Sequence, residues 1–280
     1  MKRYFFTFFL FFQIIFSAFS YANLLISPTR VAFDERQRVE KIILINDSKQ
    51  HQTYRLQWQE KIAKPEGGFY TLDDTMTNPK ALSSMIRVSP SQVSLAPGER
   101  QIVKLALRKP KGLVAQEYRS HLLFRALPND TSSSKELNAG VNVNFILSYS
   151  IPIILRQGKL ERPKVGIEDI KLVKAETNDV SSIRLTMSQT GQYSSFGSIE
   201  AFYTANNTST ETKVAILNGF SIFPEIDKKI ANVSLLEKGL LNLPGKLRVI
   251  YKGADNYKNH IFAEKQFLIN ANGSVSSLGN

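Results

Sequence analysis

The sequence predicts an all-β protein built from two immunoglobulin-like β-sandwich domains that are joined at an angle. Fourteen runs are rich in Val, Ile, Leu, Tyr and Phe, and turn residues separate them. No stretch shows a convincing helical period. The length of 280 residues suffices for two domains with cores of their own. We predict a leader over residues 1–22, a first domain over 23–155, a short linker over 156–160 and a smaller second domain over 161–280.

The leader has the pattern of a secretory signal peptide. Lys2 and Arg3 precede an apolar stretch over residues 4–19, and small residues lead up to Ala22. We expect cleavage after Ala22. An uncleaved membrane anchor is the alternative, although sixteen residues fall short of a bilayer span. Cleavage predicts a product in the periplasm of a Gram-negative bacterium, with no stable membrane insertion.

Composition restricts the partners. The formal charge of +12 falls to +10 without Lys2 and Arg3, and the remaining cations are scattered rather than gathered in a basic block. Nucleic acid is therefore not an expected partner, and the excess charge either solvates the surface or steers acidic proteins. The chain has no cysteine, so its domains need adequate hydrophobic cores in place of disulfides.

The first domain contains seven predicted strands, with Trp58 as a core anchor on the third. The strands are expected at residues 24–33, 40–46, 52–60, 85–89, 101–107, 118–127 and 141–155.

The seventh predicted strand is unusually long. Its fifteen residues alternate apolar and small or polar side chains, and at about 3.3 Å per residue they extend about 50 Å. One small domain cannot cover such a face, which favours donation of the strand to another protein or self-association through it. The alternative is a bent strand that packs only on its own two domains. Pro152 agrees with an edge position, and the donor side chains are predicted to be Val141, Val143, Phe145, Leu147 and Tyr149.

The second domain is also predicted to contain seven strands, which are more polar than those of the first. They are expected at residues 165–173, 183–188, 198–204, 213–217, 229–235, 245–251 and 261–269. The linker is short, so the two domains are expected to hold a fixed angle with a cleft between them.

Several stretches of the first domain resemble PapD-like periplasmic chaperones of the chaperone/usher pathway. They are Thr-Arg-Val-Ala-Phe-Asp at 29–34, Arg-Val-Ser-Pro at 87–90, Leu-Ala-Pro-Gly-Glu-Arg-Gln-Ile at 95–102, and residues 118–124 and 151–156. The resemblance implies a boomerang-shaped, non-enzymatic chaperone without cofactors that serves fimbrium biogenesis. Its expected partners are pilus or fibre subunits that lack their last strand, and an outer-membrane usher.

The resemblance also implies site residues. Arg30 matches the arginine that anchors the subunit's terminal carboxylate, a group to which a guanidinium fork is well suited. From alternation alone, Arg30 is instead a strand arginine that faces water. Pro152 stands where a lysine usually supplies the second cation, so the chain resembles a divergent branch of the family. The substitute cation is left open among Arg87, Lys104 and Arg125.

A further departure concerns the domain interface. Arg119 occupies a position where the family often has glutamate, which leaves the usual interdomain pairing of Arg156 in doubt. The histidines at 51, 121 and 260 lack metal-ligand spacing, and no catalytic or phosphate-binding motif is present. A secreted two-domain adhesin or carbohydrate-binding protein is the alternative function.

Overall fold

A computed structural model describes residues 24–73, 75–128, 147–159 and 161–278. The predicted leader, together with Val141, Val143 and Phe145 of the predicted donor strand, lies outside these residues. The described chain is built of strands and short 3-10 turns. Its strands are β1 (Leu25–Ser27), β2 (Val31–Phe33), β3 (Val39–Ile45), β4 (Gln52–Gln59), β5 (Lys61–Ala63), β6 (Phe69–Thr71), β7 (Ile86–Ser89), β8 (Gln92–Leu95), β9 (Arg100–Leu107), β10 (Glu117–Ala126), β11 (Ser148–Arg156), β12 (Lys164–Lys174), β13 (Val180–Thr190), β14 (Ser195–Ala205), β15 (Thr212–Ile222), β16 (Lys228–Ser234), β17 (Gly245–Gly253), β18 (Ile261–Ile269) and β19 (Val275–Ser277).

Two sheets form the first domain, in the orders β1-β3-β9-β7 and β2-β11-β10-β4-β8. Alternating side chains of the facing strands fill the space between them, as in other sandwiches. Phe33, Leu44, Tyr54, Leu122 and Phe124 are all at most 1% exposed. Trp58, predicted as the core anchor, is only partly buried at the margin of this core, and Tyr54 takes the central place on β4.

The first predicted strand is divided between the two sheets. β1 pairs with β3 and β2 pairs with β11, with Pro28 in the crossing between them. Proline has no backbone N–H to continue a ladder, which is why one unbroken strand was the wrong expectation here. The chain crosses in the same way at Pro90, between β7 and β8.

β11 is flanked on one side along its whole length and on the other side along only part of it. It pairs with β10 from Ser148 to Arg156, whereas β2 covers only Ile153 to Leu155. Within the described residues, the edge from Ser148 to Pro152 that faces away from β10 has no ladder partner. The structure therefore leaves an open sheet edge that ends where β2 begins.

The second domain is a sandwich of the sheets β12-β13-β16 and β15-β14-β17-β18-β19. Three of its strands are longer than predicted, because β13, β14 and β15 each extend over 11 residues. Each gains polar or small residues, which weaken the period-two pattern, and β15 also gains Phe220 and Ile222, which are buried. Leu185, Ile199, Leu247 and Tyr251 are among the side chains at the centre of the core.

A hairpin of β5 and β6 joins the first domain to the second and was not predicted from the sequence. The backbone N–H of Ile230 donates to the carbonyl of Pro65 in the hairpin loop at 2.8 Å. Phe69 on β6 packs against the rings of His121 and Phe223, with ring centroids 4.6 and 5.7 Å away. The hairpin thus reaches across the domain boundary. No helix in the described ranges has the length and hydropathy to cross a bilayer.

Candidate functional site

Arg30 lies between the two domains, immediately before β2. Its side chain is 7% exposed, which contradicts the reading of a strand arginine that faces water. The guanidinium donates to the hydroxyls of Ser194 at 2.8 Å and Ser221 at 3.3 Å, and it lies 4.6 Å from the centre of the Phe196 ring. Burial lowers the pKa of Arg30 to about 10, against the opposing effect of Glu117. The side chain remains a cation at neutral pH, but it is largely desolvated.

Two cavities flank Arg30. The first, which we call the Arg156 cavity, has a volume of about 220 Å³ and is also lined by Arg156, Phe196 and Tyr257. The second, the Pro152 cavity, has a volume of about 330 Å³ and is lined by Pro152 together with residues of both domains. Arg30 therefore forms part of the wall of both.

Arg156 forms an ion pair with Glu117 inside the first domain. The Nε atom of Arg156 lies 3.5 Å from Oε2 of Glu117, and the two residues are directly opposite each other on β11 and β10. Glu117 also accepts hydrogen bonds from the backbone N–H and the hydroxyl of Ser194, both at 2.9 Å. The guanidinium of Arg156 lies 4.5 Å from the Tyr257 ring centroid. Arg156 and Glu117 therefore form a pair within one sheet that contacts the second domain through Ser194 and Tyr257.

Arg119 has a separate role at the interface. It forms an ion pair with Glu225 of the second domain and donates to the carbonyl of Lys61 at 2.9 Å. Its guanidinium lies 3.9 Å from the Phe223 ring centroid, and Glu225 accepts a further bond from the Ala63 N–H at 3.0 Å. The positive charge at position 119 is therefore matched by an acid on the opposite domain.

Lys229 is a cation of the cleft that sequence reasoning missed. It lies on β16 of the second domain and lines the Pro152 cavity together with Arg30. Its ammonium donates to the carbonyl of Ser221 at 2.6 Å and lies 5.0 Å from the Phe220 ring centroid. Burial lowers its pKa, opposed by Glu225 and assisted by Arg119. No local motif marks Lys229, because its position depends on how the domains meet.

The three cations considered from the sequence as substitutes lie elsewhere. Arg87 and Lys104 are exposed on β7 and β9, in the sheet that does not contain β11. Arg125 is exposed and pairs with Ser148, near the end of β11 that is remote from the domain boundary. None of the three lines a cavity beside Arg30.

The side chains of the predicted donor face become more exposed towards the N-terminal end of β11. Ile151, Ile153 and Leu155 are buried in the first domain. Tyr149, on the same face, is only partly buried against that core, and Leu147 is 49% exposed. The apolar face of β11 thus extends past the end of the core that it helps to form.

Other chemistry is sparse in the cleft. Within the described residues, no three His, Asp or Glu side chains converge to hold a metal ion. His121 is 1% exposed on β10, and neither of its ring nitrogens has a hydrogen-bond partner. The cleft is instead a cationic and aromatic surface.

No family model and no curated protein matches the sequence. Solved structures that resemble the fold include the YadV chaperone, at 13% identity and a TM-score of 0.45, over 88% of this chain and 100% of that chain. The periplasmic chaperone SfaE resembles it at 11% identity and a TM-score of 0.44, over 87% and 98% of the respective chains. The structure of the Salmonella enterica SafA pilin in complex with the SafB chaperone resembles it at 11% identity and a TM-score of 0.42, over 92% of this chain and 95% of that chain. These values describe a distant likeness of fold.

Proposed function

We propose that the protein is a periplasmic chaperone for pilus or surface-fibre subunits whose immunoglobulin-like fold lacks a strand. It lends the subunit the strand that continues β11, holds the subunit's C-terminal carboxylate on Arg30, and delivers the subunit to an outer-membrane usher. Binding needs no chemical reaction, because strand pairing and apolar burial supply the affinity.

The open edge of β11 carries this proposal. A strand added along Ser148 to Pro152 continues the sheet until it meets β2, and the residue that precedes β2 is Arg30. If that strand runs in the same direction as β11, its C-terminus arrives at the guanidinium. A terminal carboxylate is then placed against a buried, preorganised cation. The parallel orientation follows from the position of Arg30 at the Pro152 end of the edge.

The apolar face provides the second part of the argument. Leu147 and Tyr149 continue the face of Ile151 and Ile153 beyond their own core, and Val143 and Phe145 continue the same alternation in the sequence. Burying one such side chain fully is worth about 1.5–3 kcal/mol. Several of them exceed what a single charge-assisted hydrogen bond supplies, which is about 1.5–3 kcal/mol. The apolar strand therefore provides most of the affinity, and Arg30 sets the register.

Site-specific photocrosslinking in producing cells tests the proposal. A benzoylphenylalanine at Leu147, immediately before the open edge, is expected to crosslink to the C-terminal strand of an exported β-sandwich protein, identified by mass spectrometry. The matched control is Val39 on β3, which is 54% exposed in the other sheet and is expected to give no such product. Arg30→Ala should reduce the crosslinked yield while the protein remains folded. Equal crosslinking from both positions, or a normal yield from Arg30→Ala, would contradict the proposal.

A further inference from the structure

The cleft contains two cations that lack an acidic partner. Among the described residues, neither Arg30 nor Lys229 lies within 4.0 Å of a carboxylate oxygen. Glu117 is held by Arg156 and Ser194, and Glu225 is held by Arg119. Removing a cation from water without an anion is costly, so a buried cation normally has a lowered pKa, forms an ion pair with an acid, or binds an anionic ligand.

Both cations reach the same residue. Arg30 Nη1 donates to the hydroxyl of Ser221 at 3.3 Å, and Lys229 Nζ donates to the carbonyl of Ser221 at 2.6 Å. Each cation also rests against an aromatic ring, Phe196 for Arg30 and Phe220 for Lys229. The two positive groups are therefore fixed near each other before any ligand arrives, which lowers the entropy cost of binding an anion.

The Pro152 cavity lies beside both of them. Its volume of about 330 Å³ is within the range of small-ligand sites. Pro152 lies in its wall, on the open edge of β11, and cannot itself supply a cation. Lys229 enters the same cavity from β16, on the second domain.

We propose that Arg30 and Lys229 together bind one carboxylate, the C-terminus of a strand added to β11, in a site built across the two domains. This inference rests on the proposed function and names the second cation that Pro152 does not provide. Arg30 belongs to the first domain and Lys229 to the second, so the bound carboxylate also links the domains. A ligand that ends in an amide leaves both cations without an anion and binds more weakly.

The test uses the mature protein and a fluorescein-labelled nonapeptide of alternating valine and threonine, prepared both as the free acid and as the C-terminal amide. Fluorescence anisotropy measures the affinity of each. We expect wild type to prefer the acid by roughly tenfold to a hundredfold, as for a charge-assisted hydrogen bond. Lys229→Met should lose about tenfold of that preference with unchanged amide affinity, and Lys229→Arg should retain most of it.

The matched control is Lys228→Met, on the same strand but exposed, which should behave as wild type. Thermal melting of every variant checks the fold. Displacement of the peptide acid by millimolar acetate would overturn the assignment of a chain terminus in favour of free carboxylates.

The remaining outcomes separate the two proposals. If Lys229→Met keeps the wild-type preference while Arg30→Ala loses it, the second cation is wrong and the anchoring role of Arg30 stands. If wild type binds acid and amide equally, the carboxylate site is wrong but strand addition stands. If wild type binds neither peptide, strand addition at this edge is wrong, and the inference fails with it.

Discussion

His121 should make the stability of this protein depend on pH below about 6.5. It lies on β10 between Gln59 and Pro152 of the neighbouring strands, with the Phe69 ring against it. Burial, together with the nearby charges of Arg119 and Lys61, lowers its pKa to about 3. The perturbation is His121→Phe, which keeps a ring in the same apolar site and removes the titration.

The sign follows from proton binding in the two states. Between pH 6.5 and about 3 the unfolded chain binds a proton at His121 and the folded chain does not, so acidification favours unfolding. The stability associated with neutral His121 is therefore complete above pH 6.5 and is lost as the pH falls towards 3. The expected loss is between about 1 and 2 kcal/mol at pH 5.5 and about 3 kcal/mol at pH 4.5.

Urea unfolding at pH 7.5, 5.5 and 4.5 measures the effect. The difference in unfolding free energy between His121→Phe and wild type should rise by about 3 kcal/mol from pH 7.5 to 4.5, because other titrating groups cancel in the comparison. Parallel pH profiles for wild type and His121→Phe would show that His121 protonates freely in the folded state, which would refute the reasoning.

Three further predictions concern the interface, the second domain and the donor strand. Glu225→Gln leaves Arg119 buried without its anion and should lower the free energy of unfolding by about 2 kcal/mol at pH 7; a loss below about 0.5 kcal/mol in urea unfolding would show that the pair is unimportant. Gly197→Ala would place a Cβ 1.8 Å from the carbonyl of Lys252 and should prevent β14 from pairing with β17, so the yield of soluble protein should collapse. Gly219→Ala is the control, because its Cβ would meet no atom within 4 Å, and it should lower the free energy of unfolding by only about 1 kcal/mol for its positive φ. Phe145→Asp should abolish the Leu147 crosslink by placing a charge in the receiving core, with an unchanged melting temperature; an undiminished crosslink would mean that another surface is used.

Alternation predicted most of the strands because each domain buries one face of each sheet. β3, β4 and β9 begin and end within one residue of their predicted bounds, and their fully buried positions alternate with a period of two. The same rule gave no signal for β5 and β6, which have only three residues each and of which only Ala63 is buried, in the core cluster of the second domain. Short strands of this kind are determined by tertiary contacts rather than by local pattern.

Ile154 shows why the domain contacts were not predictable from one strand. It occupies an even position of β11, opposite to the face of Ile153 and Leu155, yet it is fully buried in the core cluster of the second domain. A single strand that is buried on both faces reads as a continuous apolar run, and the sequence does not say which domain covers which face. The locations of Arg30 and Lys229 depend on that same domain contact.

The charged residues of the domain interface and those of the proposed carboxylate site form one connected group. In a two-cation anchor carried by the first domain alone, the second domain would not contribute to recognition. Here Pro152 carries no charge, Arg119 is paired with Glu225, and Lys229 of the second domain lines the same cavity as Arg30. The acids Glu117 and Glu225 are thus used for ion pairs with Arg156 and Arg119, while Arg30, which is buried, and Lys229, which is partly buried, have no carboxylate oxygen within 4.0 Å among the described residues. Incomplete charge pairing of this kind is expected at functional sites.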